Sequence, residues 1–399
     1  MKKIMILGAS ILQLPAIIKA KEMGLQAIAV DMDEQAIGFK YADICLPVST
    51  IDIPSVVKAA GKYEIDGIMT LASDMPMRTV AEVSKQLHLI GISEETAFKA
   101  TNKAAMRRCF LKNSVPIPVF YEVRTKNEFY DAVNSIEGKS IVKPVDNAGS
   151  RGVTLLGSDN FEILEKAFSY AMQCSRSGSV MVEEYMEGPE ASVETLSVDG
   201  VCHVIQITDK LTTGAPHFIE MGHNQPSMLS DDIKERIARV TCTAVNAIGI
   251  NNGPSHTEIK LTKNGPKLVE IGARLGGDCI TTDLVPLSTG VDMVECCIHI
   301  ALGEKPDLEP KFTKASAIRY VSADIGHIED INGIEEAQAI HGVKKIGIVH
   351  GVGEESVEVL NSVDRVAFVI AQADDPQTAI QISEDGVSRI KYITSGNKI

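Results

Sequence analysis

The chain contains no tryptophan, and aromatic residues make up only 5% of it. That leaves little material for the stacking platforms that hold single-stranded nucleic acid. Positive charge is also scarce: 39 Lys and Arg stand against 53 Asp and Glu, a net charge of -14 at pH 7. A surface of that sign repels nucleic acid and anionic membrane, so neither is expected as a partner. An anionic ligand would need a local island of Lys, Arg and backbone N–H groups. No stretch reaches the roughly 18 apolar residues of a membrane-spanning helix. The N-terminal "MKKIMILGASILQLPAII" has the lysines and apolar run of a secretory leader, but Gln13 and Pro15 interrupt the run and charged "KAKEMG" follows it. The eight cysteines form no C-x-x-C pair and no Cys/His cluster. Free thiols in a reducing compartment, and hence a cytoplasmic location, are the expectation.

At 399 residues the chain exceeds one ordinary domain of roughly 150 residues. "KIMILG", a helix ending at Gly24 and "LQAIAVD" read as a β-α-β unit closing on Asp31. Helices near 54–62 and 75–87 alternate with "ADICLPV" and "DGIMTL". Residues 1 to about 95 therefore read as an α/β domain with a parallel sheet. It carries only "GAS" where a dinucleotide site would carry G-x-G-x-x-G, which argues against NAD. "SEETAFKATNKAAMRRCFLKNS" reads as one helix capped by Ser93, followed by an extended crossing with two prolines. Beyond it the pattern becomes α+β. "SIVKPV" and "GVTLL" flank a glycine loop, and 180–210 reads as three consecutive antiparallel strands with a turn at "VDG". A further hairpin turns at "KNGP", 263–266. The last hundred residues read as a small α+β unit closed by a helix from about Pro376 to Ile393.

Three clusters carry candidate chemistry. The first is basic: Lys103, Lys143 and Arg151, with Lys143 ending a strand just before the loop "NAGSRG". This loop is not a P-loop, since its lysine precedes it and strands flank it, but its N–H groups can form a concave nest for phosphate oxygens. The second is "VEEYMEGPE", 182–190, where backbone leaving a strand can read an adenine edge and a later carboxylate can hold ribose hydroxyls. The third is "TEIKLTKNGPKLVEIGARLGGD". Alternation places Glu258 and Glu270 on one face of a hairpin, where two carboxylates repel unless a cation sits between them. Hard oxygen ligands suit Mg2+ carrying nucleotide phosphates; no zinc set of His and Cys shares the geometry, and His256 alone reads as structural. Nothing else evident in the sequence supplies partners for both glutamates. Arg274 brings positive charge four residues after Glu270. Singly, these clusters read as readily as a surface turn, an acidic strand end and an ion-paired hairpin.

Their order changes that. Lysine, lysine with glycine loop, acidic linker, and carboxylate hairpin with arginine together resemble the ATP-grasp superfamily of carboxylate–amine ligases, over nearly the whole chain. Within it, "FIEMGHNQPS", 218–227, and "EIGARLGGD", 270–278, look most like the bacterial L-amino-acid ligases. The resemblance implies an N-terminal α/β domain over 1–95, an ATP-grasp domain over 96–302 with a lid subdomain at about 115–187, and a small C-terminal domain over 303–399. It implies that Lys103 and Lys143 contact phosphates and that Gly149, Ser150, Arg151 and Gly152 close over the triphosphate as a mobile lid. Glu183 and Glu184 with the backbone of Tyr185 and Met186 would read adenine, and Glu190 would hold ribose. Lys210 is a further phosphate candidate. Glu258 and Glu270 would bind one or two Mg2+, with Mn2+ as a substitute. Glu220, His223 and Arg274 would act on the substrates and the acyl phosphate.

One departure stands out: many members carry Asn two residues after the second metal glutamate, where this chain has Gly272. The expected reaction joins a small amino acid's carboxylate to an amine with release of ADP and phosphate, and a homodimer is a fair family expectation. Purine-biosynthesis ligases of the phosphoribosylglycinamide synthetase kind, carboxylase subunits and a non-catalytic nucleotide-binding protein are the rival readings.

Overall fold

The computed structural model describes residues 1–147, 151–157, 160–214 and 218–396. The fold is mixed α/β and α+β. It begins with a parallel sheet of β1 (Lys3–Leu7), β2 (Gln26–Asp31), β3 (Ile44–Pro47) and β4 (Gly67–Thr70) in the order β3-β2-β1-β4. Successive strand side chains point to opposite faces. Met5 and Leu7 of β1 accordingly join a core with Val56, Val80 and Val83, whereas Ile4 and Ile6 join another with Ile17 and Ala20. That second core also takes Cys296, Cys297, Ile298 and Ile300 from the helix Met293–Ala301. The parallel sheet is thus packed against a helix almost three hundred residues away in sequence.

The stretch read as one helix is two, Glu94–Thr101 and Lys103–Lys112. Asn102 adopts an extended conformation between them and its side chain accepts from the Ala105 N–H at 2.9 Å. The Asn cap satisfies one of the second helix's free N–H groups. The break sets Lys103 at the start of that helix.

The second sheet is antiparallel: β5 (Phe120–Val123), β6 (Ser140–Pro144), β7 (Thr154–Leu156) and β8 (Val180–Glu184), ordered β5-β8-β6-β7. The helices Lys126–Ser135 and Phe161–Cys174 bury Phe129, Leu164, Phe168 and Ala171 against Val142, Val180 and Val182. The remaining strands are β9 (Glu190–Val198), β10 (Val201–Thr212), β11 (Glu220–Gln225), β12 (Gly253–Thr262), β13 (Gly265–Gly272), β14 (Ala315–Val321), β15 (Gly326–Asn332), β16 (Val343–Ile348), β17 (Glu355–Ser356), β18 (Ala367–Ala373) and β19 (Lys391–Ser395). An eight-stranded sheet runs β13-β12-β9-β10-β11-β14-β18-β16, and a small one runs β17-β15-β19.

Two further readings change. The three consecutive antiparallel strands are a pair, β9 and β10, preceded by β8 in a different sheet. The chain crosses between the sheets at Gly188, whose φ is 134° and where an added Cβ would lie 2.0 Å from the Leu261 carbonyl; only glycine passes there. The closing helix ends at Arg389 and is followed by β19. The strands β14, β18 and β16 extend the sheet of β9 to β13. No single helix among the described residues is long and apolar enough to cross a membrane.

Candidate active site

A cleft of about 340 Å³ lies between the second sheet and the eight-stranded sheet. Lys103, Lys143, Arg151, Glu183, Glu184, Tyr185, Met186, Glu190, Lys210, Glu220, Glu258, Glu270 and Arg274 all line it. The fold thus gathers residues from positions 103 to 274 on one surface. Gly149 and Ser150 lie outside the described residues, as does the expectation of a mobile lid at that point. Gly152 is buried with φ 82°, and a Cβ there would lie 2.8 Å from Cys174 Cβ. It packs against Cys174 and Pro144 and does not line the cleft.

At one end cations gather. β6 and β8 pair with Ile141 opposite Glu183, which makes Lys143 a diagonal neighbour of Glu183 on the same face. Lys143 Nζ lies 2.6 Å from Glu183, and both are almost fully buried. Arg107, four residues after Lys103 and thus on the same side of its helix, donates to the two Glu183 oxygens at 2.8 and 3.1 Å and to the Val269 carbonyl at 2.7 Å. Burial would raise the Glu183 pKa, but Arg107 and Lys143 outweigh it and hold the carboxyl down at about 2. Burial lowers the Lys143 pKa, with Glu183 opposing. The Glu183 carboxylate is therefore committed to cations, and an adenine contact from it has no support here. Lys103 Nζ donates to the Asn147 carbonyl at 2.9 Å and to Glu270 at 2.6 Å.

Glu184 is gripped by Lys267 at 2.9 and 3.1 Å. The Tyr185 N–H donates to the Lys139 carbonyl at 2.9 Å. The Tyr185 ring lies 6.2 Å from that of Phe218, and both line the cleft.

At the other end carboxylates gather. Lys210 Nζ sits 2.8 Å from Glu190, 2.8 Å from Glu220 and 3.0 Å from Glu258. Burial alone would lower its pKa; the three carboxylates raise it well above the ordinary lysine value. Glu258 stands opposite Glu270 in the β12–β13 register, on adjacent strands as the alternation predicts. Each already has a lysine, Lys210 and Lys103 respectively, so the reading that nothing else supplies their partners is corrected. Both lysines come from other elements. The paired carboxylates on the cleft wall are hard oxygen donors of the kind Mg2+ takes, and they fit that ion.

His256 Nδ1 lies 2.6 Å from the buried Glu194 and its Nε2 lies 3.7 Å from Glu258. Burial opposes protonation, but Glu194 and Glu258 raise the imidazole pKa to about 9. His223 does not line the cleft. It is fully buried with Nε2 3.6 Å from Asp278, and neither ring nitrogen makes a hydrogen bond among the described residues. Asp278 does line the cleft, held by Arg365 at 2.7 and 2.8 Å. Arg365 also donates to the Glu220 carbonyl at 2.9 Å and lies 3.8 Å from the Tyr320 ring centre. Sequence reasoning missed Arg107, Glu194, Asp278 and Arg365. Arg107 is legible from its helical spacing to Lys103; Arg365 lies 87 residues from its partner and leaves no local signal.

Two family models match parts of this chain. Residues 136–283 match the ATP-grasp domain family, and residues 319–395 match the L-amino acid ligase C-terminal domain 2. An alanine–anticapsin ligase of Bacillus subtilis is 28% identical over 337 residues, covering 77% of this chain and 70% of that protein. A phosphoribosylamine–glycine ligase of Methanocaldococcus jannaschii is 27% identical over 374 residues, covering 85% and 82%. The crystal structure of an L-amino acid ligase from Bacillus licheniformis superposes with a TM-score of 0.87 over 99% of both chains at 23% identity, a likeness of fold.

Proposed function

Since the chain belongs to the ATP-grasp ligases, ATP-dependent enzymes that form C–N bonds, we propose that it joins the carboxylate of a small amino acid to an amine through an acyl phosphate. The observation that carries this reading is the division of one cleft into a lysine-rich end and a carboxylate-rich end. ATP's phosphates belong beside Lys103 and Lys143, with Arg151 on the same wall. Adenine lies against the Tyr185 carbonyl and Met186, and ribose against Glu190. Lys210 is spoken for by three carboxylates, which leaves phosphate contact to the other lysines. Mg2+ held by Glu258 and Glu270 would supply further positive charge to the phosphates.

The substrate carboxylate oxygen bonds to the γ-phosphorus as the β–γ bridging bond breaks and ADP leaves. Positioning and charge neutralisation supply most of the acceleration. The amine then attacks the acyl carbon and phosphate leaves. Arg274 faces the developing negative charge, and Glu220 on the cleft wall accepts the amine's proton. His223 supports Asp278 from behind.

The test is ADP release with ATP and Mg2+ over a panel of L-amino acids, alone and in pairs. One or more amino acids should stimulate ADP formation, and Glu270→Gln should abolish the stimulation. Absence of stimulation by every carboxylate overturns the reading; full turnover by Glu270→Gln overturns the metal assignment. The Methanocaldococcus relative favours a second reading, glycine joined to a phosphoribosylamine. Against it, the parallel sheet and its loops contribute only Ala72 to the described lining, and no basic residue for a second phosphate. Stimulation by glycine only when a phosphoribosylamine is present would reverse that choice.

A further inference from the structure

The loop after β4 enters the site from the parallel sheet. Ala72 lines the cleft with φ 57°, a left-handed conformation that a non-glycine residue adopts at a cost. Two residues on, Asp74 makes a forked pair with Arg274: Nε to Oδ1 at 3.0 Å and Nη2 to Oδ2 at 3.3 Å. Both side chains are mostly buried. Arg274 Nη1 donates to the Leu275 carbonyl at 3.3 Å. A guanidinium has five N–H donors in a fixed plane. Asp74 takes Nε and one N–H of Nη2, and Leu275 takes one N–H of Nη1, so one N–H on each of Nη1 and Nη2 remains on a side chain that lines the cleft.

Gly272 completes the arrangement. Its backbone is not in the left-handed region, so conformation does not demand glycine there. Space does: a Cβ at 272 would lie 2.6 Å from Asp74 Oδ1 and 3.1 Å from Arg274 Nε. The carboxylate of Asp74 occupies the room that a side chain at 272 would take.

We propose that Asp74 is a positioning residue, delivered from the parallel-sheet domain, which holds the Arg274 guanidinium side-on so that its end-on edge faces the reacting carboxylate or phosphate. Gly272 is its structural counterpart, the vacancy that admits it. This rests on Arg274 acting on the reacting groups as described above.

The test exchanges the two positions. Asp74→Asn, near-isosteric and neutral, should lower kcat/KM for the carboxylate substrate on the order of 10- to 100-fold, with the KM for ATP little changed. Asp74→Ala should do the same or worse. Asp74→Ala combined with Gly272→Asp returns a carboxylate beside Arg274 Nε from the other side, and should recover activity above Asp74→Ala alone. A merely structural role for the loop would not be rescued from β13. The same variants are read by NMR with labelled arginine, without turnover. The Nε–H signal missing from Arg274→Lys should be protected from exchange in the parent protein, lost in Asp74→Ala and restored in the double variant.

Parent-like activity in Asp74→Asn, or a folded double variant no better than Asp74→Ala in both readouts, overturns the proposal. If no carboxylate stimulates ADP formation in the parent protein, the ligase reading fails, while the NMR arm still decides for or against Asp74.

Discussion

Lys143 and Lys210 are both buried lysines on the wall of one cleft, and their surroundings drive them in opposite directions. Lys143 shares a single carboxylate with Arg107, and burial lowers its pKa. Lys210 is shared by three carboxylates, which overcome burial and raise its pKa. The ratio of partners, not the residue type, separates a lysine-rich end of the cleft from a carboxylate-rich end. On the proposed reading, a protein of net charge -14 holds ATP through positive charge that is local.

The largest expected effect is at the cationic end. Glu183→Gln leaves Arg107 and Lys143 buried without their carboxylate and should cost about 3–5 kcal/mol at pH 7, measured by urea unfolding. The Glu183 pKa of about 2 lies below the ordinary carboxylate value. Its contribution is therefore fully present above about pH 4.5 and is lost as pH falls through the folded pKa. The difference between variant and parent should shrink from pH 5 to pH 3, and an unchanged difference would remove the pair's electrostatic role.

The next effect is at the acidic end. Lys210→Met takes the shared cation from three carboxylates and should cost about 3 kcal/mol in the absence of metal. Millimolar Mg2+ should restore part of that stability and should raise the variant more than the parent. Equal responses would break the contrast between the two ends.

Lys143→Met keeps the Arg107–Glu183 pair, so the fold should hold. ADP formation should fall about 100-fold, equivalent to about 2.7 kcal/mol of transition-state stabilisation. Should Lys210→Met instead reduce ADP formation more at saturating Mg2+, the assignment of phosphate to the Lys143 end is reversed. The smallest effect belongs to the cap that aims Lys103: Asn102→Ala should cost about 1 kcal/mol and raise the KM for ATP modestly, checked by thermal unfolding and initial rates.

Much of this was legible in the sequence, and the limits are physical. Periodicity gave the parallel sheet and the β12–β13 hairpin, since alternation fixes which side chains share a face, and Glu258 does oppose Glu270. The helix break at Asn102 escaped because propensity favours continuing through "KATNKAAM", whereas the Asn cap and the bond from the Lys103 N–H to the Val145 carbonyl at 2.7 Å end it. The crossing at Gly188 escaped because alternation marks a strand without saying which sheet it joins. What no local pattern can show is partnership over distance: Lys103 with Glu270 across 167 residues, or Asp74 with Arg274 across 200. His256 read as structural by base rate, yet its Nδ1 faces Glu194 and its Nε2 faces Glu258, inside the site.

The central claim, that a carboxylate is activated as an acyl phosphate in this cleft, has a direct isotopic test. The chain is incubated with ATP, Mg2+ and a pool of L-amino acids labelled with oxygen-18 in their carboxylates, and the released phosphate is analysed by mass spectrometry. Transfer of one labelled oxygen to phosphate, with ADP and an amide in equal amounts, is the predicted result. Amide formed with unlabelled phosphate, or label found in AMP, would contradict the account.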